Sequence, residues 1–238
     1  MLGRFHEIGI TTDDIRASVE FYESLGFTQA PTNDTWAHPY GVLTDGRLVI
    51  GLHQRTGPSP VLTFVLPDLQ NRLPQLTQLG IGFSVCRTGA ESFNQVSFED
   101  PWGQAVTLLE ARTYSPTDRV ATQLSRCGYF EELSLPLPDF DAARAYWERL
   151  GFVALEELGS PYVHLPLTSD HLELAFHRPR TLDSVMLVFR DKHMAARIAQ
   201  LREQGVTVSS ELPRGLDKRH NALLVAPEGT LLALLQDD

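Results

Sequence analysis

Residues 7–12 alternate. Ile8, Ile10 and Thr12 fall on one face and Glu7, Gly9 and Thr11 on the other. That period of two predicts a half-buried strand. Asp13 and Asp14 then offer an N-cap, and Ile15, Val19, Tyr22 and Leu25 recur at helical spacing until Gly26 ends the helix. Three strand-like stretches follow, near 27–31, 38–44 and 47–53, with Asp45-Gly46 as a hairpin turn between the last two. A second unit restarts at Val61, where Leu62, Phe64 and Leu66 alternate with Val61, Thr63 and Val65. Asp68 is expected to open a helix to about Leu79, with Pro74 inside it, and strands near 81–86, 93–98 and 104–110 complete the unit.

The order strand, helix, strand, strand, strand then occurs twice more. Strand 131–137 leads into helix 139–150 and strands near 152–156, 161–167 and 171–177. Strand 184–190 leads into helix 191–204 and strands near 206–210, 220–225 and 230–235. The polar, aperiodic stretch between them reads as a linker, with room for one helical turn over 119–125.

The halves are copies. Phe21-Tyr22-Glu23-Ser24-Leu25-Gly26-Phe27 returns 125 positions on as Tyr146-Trp147-Glu148-Arg149-Leu150-Gly151-Phe152. Asp100-Pro101-Trp102-Gly103 returns as Ala226-Pro227-Glu228-Gly229. A repeat of this length is a domain duplication rather than a solenoid period. The expected domains are 1–112 and 129–238, joined by linker 113–128.

Composition narrows the partners. A net charge of −10 with no offsetting Lys/Arg cluster argues against nucleic acid. No apolar run approaches the ~18 residues that span a bilayer, and the N-terminus lacks a signal-peptide pattern. Cys86 and Cys127 form no CxxC and no metal spacing, so a reducing cytoplasm is the expected compartment.

Four βαβββ modules with these landmarks resemble the vicinal oxygen chelate superfamily. That group includes glyoxalase I, extradiol dioxygenases and bleomycin resistance proteins. The motifs that carry the likeness are Asp14 through Tyr22 with Leu25-Gly26-Phe27, and Phe98-Glu99-Asp100-Pro101-Trp102-Gly103. In the second half they are Asp139-Phe140 through Leu150-Gly151-Phe152, and Pro227-Glu228-Gly229. The resemblance implies an α+β protein of tandem glyoxalase-like domains, each two modules forming a curved, cup-shaped mixed sheet. It implies a small organic ligand, and either a monomer with a pseudo-dimeric domain pair or a homodimer. The fold hosts several chemistries, so it does not name the activity.

In metal-dependent members, four side chains aim at a divalent ion from the first, fourth, fifth and last strands of a cup. Counted from the landmarks, those positions hold Glu7, Gly51, Val61 and Thr107 in the first half. In the second they hold Glu132, Ala175, Ser184 and Ala233. One carboxylate per cup does not make a catalytic metal site, which needs about three ligands and an open position. No metal or other cofactor is therefore expected. A one-residue shift of register would exchange Glu7 for its neighbour His6.

His53 and His177 stand two residues past Gly51 and Ala175, on the same strand face. Glu7 with His53, and Glu132 with His177, are therefore candidate carboxylate–imidazole pairs, with Glu173 near the second. Trp36, His38 and Tyr40 cluster before them, as do Tyr162 and His164 in the second half, and their rings suit either core packing or a flat ligand. Arg214, Lys218, Arg219 and His220 form a local basic patch. The expected site is the first cup, with Glu7 and His53 as acid–base groups and Gly9, Trp36, Gly51 and Thr107 as lining. Glu132 and His177 hold the matching places of the second. Gly9 and Gly51 should leave that cup roomy. The expected function is metal-free binding of a small organic molecule. The alternative is a metal-dependent or acid–base enzyme of the superfamily: a glyoxalase-type lyase, an isomerase or an extradiol-type dioxygenase.

Overall fold

The structure is a computed structural model; it describes residues 1–32, 36–89, 93–111, 125–209 and 211–237. The body of the expected linker, and most of the proposed turn over 119–125, lie outside the described residues.

The first half contains β1 (Arg4–Thr12), α1 (Ile15–Ser24), β2 (Thr28–Ala30), β3 (Tyr40–Thr44) and β4 (Val49–Gln54). It continues with β5 (Val61–Val65), α2 (Leu69–Gln78), β6 (Phe83–Arg87), β7 (Gln95–Glu99) and β8 (Ala105–Leu109). The second contains β9 (Tyr129–Pro136), α3 (Phe140–Arg149), β10 (Val153–Ala154), β11 (His164–Thr168) and β12 (Glu173–His177). It ends with β13 (Met186–Asp191), α4 (Met194–Glu203), β14 (Ala222–Val225) and β15 (Leu231–Gln236).

Each half forms one mixed sheet. The first runs β2-β3-β4-β1-β5-β8-β7-β6, and the second β10-β11-β12-β9-β13-β15-β14. At the centre of the first, β1 is parallel to β4 and antiparallel to β5. Two modules thus meet along β1 and β5, and their outer strands rise on either side as the walls of a cup.

Local chemistry explains most element ends. The Asp14 carboxylate accepts hydrogen bonds from the backbone of Arg16 and Ala17, and Asp139 accepts one from Ala142, so both first helices are N-capped. Gly26, at φ 89°, turns the chain out of α1 in a conformation that costs L-residues a Cβ clash. Asp68 opens α2 as expected, from the left-handed region and without a side-chain cap. One expectation needs correction. The strand expected near 206–210 does not form: described residues 206–209 are irregular, held to β14 by Ser209 N–H to Leu223 O. Its would-be partner is cut short because Asp217 folds 217–221 into a turn, accepting from the backbone of His220 and Asn221, so only four residues of β14 pair.

The halves share one hydrophobic core, which includes Ile8, Ile10 and Tyr22 of the first and Leu133, Leu135 and Trp147 of the second. The two equivalent helix aromatics are clamped reciprocally. Tyr22 Oη donates to Glu228 Oε1 at 2.9 Å, beside Ser18 Oγ to Oε2 at 2.8 Å. Trp147 Nε1 donates to Asp100 Oδ2 at 3.1 Å. Each half's Pro-x-Gly turn therefore supplies a carboxylate to the other half's first helix. Trp102, in one of those turns, packs edge-on against Tyr146 of α3.

Candidate functional site

The centre of the first cup is set by a β-bulge. The β1–β5 register shifts between Phe5 and Glu7, so that Glu7 stands opposite Thr63 and His6 is the extra residue. The equivalent shift occurs between Phe130 and Glu132 on β9. This settles the register: Glu7 is fully buried and His6 half-buried.

Both oxygens of the Glu7 carboxylate are held. Tyr40 Oη donates to Oε2 at 2.5 Å, and His53 Nε2 lies 3.1 Å from Oε1. The other ring nitrogen of His53, Nδ1, lies 2.9 Å from His38 Nε2. Tyr40, Glu7, His53 and His38 thus form one hydrogen-bonded chain that runs from the cup floor towards its mouth. The chain tolerates two proton placements. With His53 neutral, Nε2–H donates to Glu7 and His38 donates to Nδ1; with His53 protonated, Nδ1–H donates to His38. Partial burial, aided by repulsion from His53 and Arg55, lowers the His38 pKa and favours its neutral form.

Aromatic rings enclose the pair. The Trp36 ring meets His53 edge-on at 5.0 Å between centroids, and Tyr40 lies tilted against it at 4.7 Å. Trp36 Nε1 is buried without a hydrogen-bond partner. Below them a polar row crosses the sheet. Glu7 stands opposite Thr63, Thr63 opposite Thr107, and Thr107 opposite Ser97, with Thr107 Oγ1 2.9 Å from Ser97 Oγ. Sequence reasoning missed Thr63 and Ser97, although both fall on the face that alternation assigns to the cup.

The expected roominess at Gly51 and Gly9 is corrected. A Cβ at Gly51 would come within 2.1 Å of Glu7 Oε2, so the carboxylate lies directly over that residue. A Cβ at Gly9 would meet the His53 ring at 3.5 Å. The two glycines leave space, and Glu7 and His53 fill it.

The second cup has the same backbone and different chemistry. Glu132 does not pair with His177. His177 Nδ1 lies 2.8 Å from Ser134 Oγ, and Nε2 donates to Leu182 O at 2.8 Å. Four replacements cause this. Ala175 stands at the Gly51 position, and its methyl occupies the place that the Glu7 carboxylate takes. Ser134 replaces Gly9 and captures the imidazole. His164 replaces Tyr40 and bonds the Tyr162 carbonyl, at 2.9 Å. Tyr162 replaces His38. The polar row becomes Val188, Ala233 and Leu223, part of an apolar cluster with Met186 and Leu235.

Glu132 Oε1 consequently has no partner, and burial, with Glu131 as a lesser cause, pushes its pKa up to about 8. The Tyr162 hydroxyl lies near Ser134 but outside hydrogen-bond geometry, and burial raises it strongly. His177 is pushed down to about 4, mainly by burial. Glu173 accepts from Thr168 and lies near enough to Glu132 to add to its upward shift. Outside both cups, the basic patch is organised by Asp217, which accepts from the backbone of Arg219 and holds His220 Nδ1 at 2.8 Å.

The residues do not fit a family-type metal. Gly51 and Val61 offer no donor, Thr107 is engaged with Ser97, and both Glu7 oxygens are already bonded. Among the described residues, no group of three or more His, Cys, Asp or Glu side chains converges on a point a metal ion could occupy.

No protein-family model and no curated protein sequence matches the chain. Solved structures do. A catechol 2,3-dioxygenase aligns at TM-score 0.58 and 16% identity, over 97% of this chain and 86% of that one. Homoprotocatechuate 2,3-dioxygenase from Brevibacterium fuscum, in complex with 3,4-dihydroxyphenylacetate, aligns at 0.60 and 16%, over 99% and 81%. A room-temperature structure of an extradiol ring-cleaving dioxygenase from B. fuscum gives 0.61 and 15%, over 99% and 72%. The halves, their module order and these alignments together give the chain the tandem βαβββ fold of the extradiol dioxygenases, the fold of the vicinal oxygen chelate superfamily.

Proposed function

We propose that the first cup binds a small organic molecule without a metal, at the Glu7–His53 pair and beneath the rings of Trp36 and Tyr40. On this reading residues 1–112 are the binding domain, and residues 129–238, with an apolar second cup, are its structural partner. The single observation that carries the reading is the contrast between equivalent rows. Beside a carboxylate that both cups keep, Thr63, Thr107 and Ser97 remain polar where Val188, Ala233 and Leu223 are not. The apolar row of the second cup packs without such groups, so the fold does not require them, and keeping them buried costs desolvation.

The test uses 3,4-dihydroxyphenylacetate, the compound in one of the similar structures, beside neutral catechol and benzoate. Binding is followed by calorimetry on protein whose metal content has been measured. The expected result is binding of at least one of the three that survives chelator treatment and weakens at least tenfold in Glu7→Gln. Stoichiometric iron, manganese or zinc in the purified protein, or binding that appears only on adding metal, would sink the metal-free reading.

A second reading, an acid–base enzyme on the same cup, is favoured by the hydrogen-bonded chain ending at His38. Such a chain carries a proton between a buried carboxylate and the mouth of the cup. Metal-free turnover of a catechol or of the methylglyoxal–glutathione adduct, lost in both Glu7→Gln and His53→Gln, is its expected signature. Equal rates in wild type and both variants refute it.

A further inference from the structure

A cavity of about 340 Å³ lies on the seam between the halves, away from either Glu–His position. Ile8 of β1, Leu133 of β9 and Met186 of β13 lie behind it with essentially no exposed surface, and half-buried Pro60, Val185 and Leu231 supply its apolar surface. Ile8 and Leu133 are equivalent residues of the two copies, so the cavity sits between the two central strands. Exposed Ser184 and half-buried Glu228 also line it. The volume falls at the lower end of the range for small-ligand sites, about 300–1,000 Å³, and domain seams are a preferred location for them.

The lining mixes apolar side chains with Ser59, Ser184 and Thr230, and it has one carboxylate. Glu228 is held by Ser18 Oγ and Tyr22 Oη. Both donors are neutral, so they orient the carboxylate without cancelling its charge. Ser18 and Tyr22 are fully buried, whereas Glu228 is half-buried and lines the cavity. The equivalent residue of the first half is Trp102, packed on Tyr146, and the carboxylate of that turn, Asp100, is buried against Trp147. A carboxylate edging a partly apolar cavity is complemented by a cation carried on an apolar body. The protein's net charge of −10 adds a favourable field for such a ligand.

We infer that this inter-half cavity is a second small-molecule site, selective for a compact apolar compound bearing one protonated amine, with the amine at Glu228 and the apolar body against Pro60, Val185 and Leu231. The site is independent of the first cup.

The probes are 1-naphthylmethylamine, its neutral analogue 1-naphthylmethanol, and 1-naphthalenesulfonate, titrated against the full chain by fluorescence. The amine is expected to bind at least tenfold more tightly than the alcohol, and the sulfonate not at all. Glu228→Gln, which keeps an oxygen for one hydroxyl, should erase the amine's preference. Ser184→Trp, at an exposed position that needs no repacking, should abolish binding of amine and alcohol alike. Glu7→Gln should change neither affinity. Failure of the amine to bind wild type, or equal affinity in Ser184→Trp, overturns the inference. If Glu7→Gln removes binding and Ser184→Trp does not, the probe occupies the first cup; that also overturns the inference and leaves the proposed function standing.

Discussion

The Glu7 carboxylate lies over Gly51, so close that a Cβ at residue 51 would stand 2.1 Å from Oε2. One absent methyl group thus decides where the only family-type donor of the first cup points. In the second half the methyl is present, as Ala175, and Glu132 is left without the partners Glu7 has.

Gly51→Ala should therefore convert the first cup towards the second. The methyl cannot share the space with the carboxylate, so Glu7 must leave Tyr40, His53 or both. Overpacking of this kind costs about 1–3 kcal/mol, with the lost hydrogen bonds added. Denaturant unfolding measures it, and a midpoint equal to wild type would refute the packing account.

Tyr40→Phe removes the 2.5 Å hydrogen bond to Glu7 Oε2 with little change of shape. Hydrogen bonds to a charged group contribute about 1.5–3 kcal/mol, and the buried oxygen is left bare. The substitution should lower the melting temperature in thermal unfolding. His164→Phe, at the equivalent position of the second half, should leave the Glu132 pKa where it is, followed by carboxyl NMR.

Stability should fall at both ends of the neutral range for separate reasons. Glu132, raised to about 8, contributes stability that is fully present below the unfolded value near 4.5. That contribution is lost as pH rises through 8, because the unfolded chain ionises first. His177, lowered to about 4 by burial, behaves oppositely. Its contribution is intact above the unfolded value near 6.5 and declines as pH falls towards 4, where the unfolded chain takes the proton. At about 1.4 kcal/mol per pH unit, each effect amounts to a few kcal/mol. Glu132→Gln should flatten the alkaline limb, and His177→Gln the acid limb, in melting curves between pH 4 and 9. An unchanged limb in either variant contradicts the corresponding assignment.

Asp100→Ala should loosen the halves. It leaves Trp147 Nε1 buried without an acceptor and frees two backbone donors, Trp102 and Gln104 N–H. The expected loss is about 2–4 kcal/mol, on the scale of a buried donor left unpaired plus a broken turn. Hydrogen exchange should speed up at α3 and the 100–104 turn before it does in β1.

Much of this was legible locally. Strand periodicity, capping aspartates and glycine stops located the modules, and the 125-residue repeat gave the duplication. Alternation alone put Glu7, Gly51 and His53 on one face, and the residue types at the four family positions offered a single carboxylate. These properties follow from backbone geometry and donor chemistry, which neighbours in space do not alter.

The choice of hydrogen-bond partner was decided only by tertiary structure. The same Glu and His recur in both halves, yet only Glu7 and His53 meet. The outcome depends on Gly51 against Ala175, Gly9 against Ser134, and Tyr40 against His164, residues brought together by pairing across three strands. A strand's period says which face a side chain takes. Whether that face holds an empty space, a competing hydroxyl or a methyl group is set by neighbours distant in the chain, because a close-packed interior admits one occupant at each point.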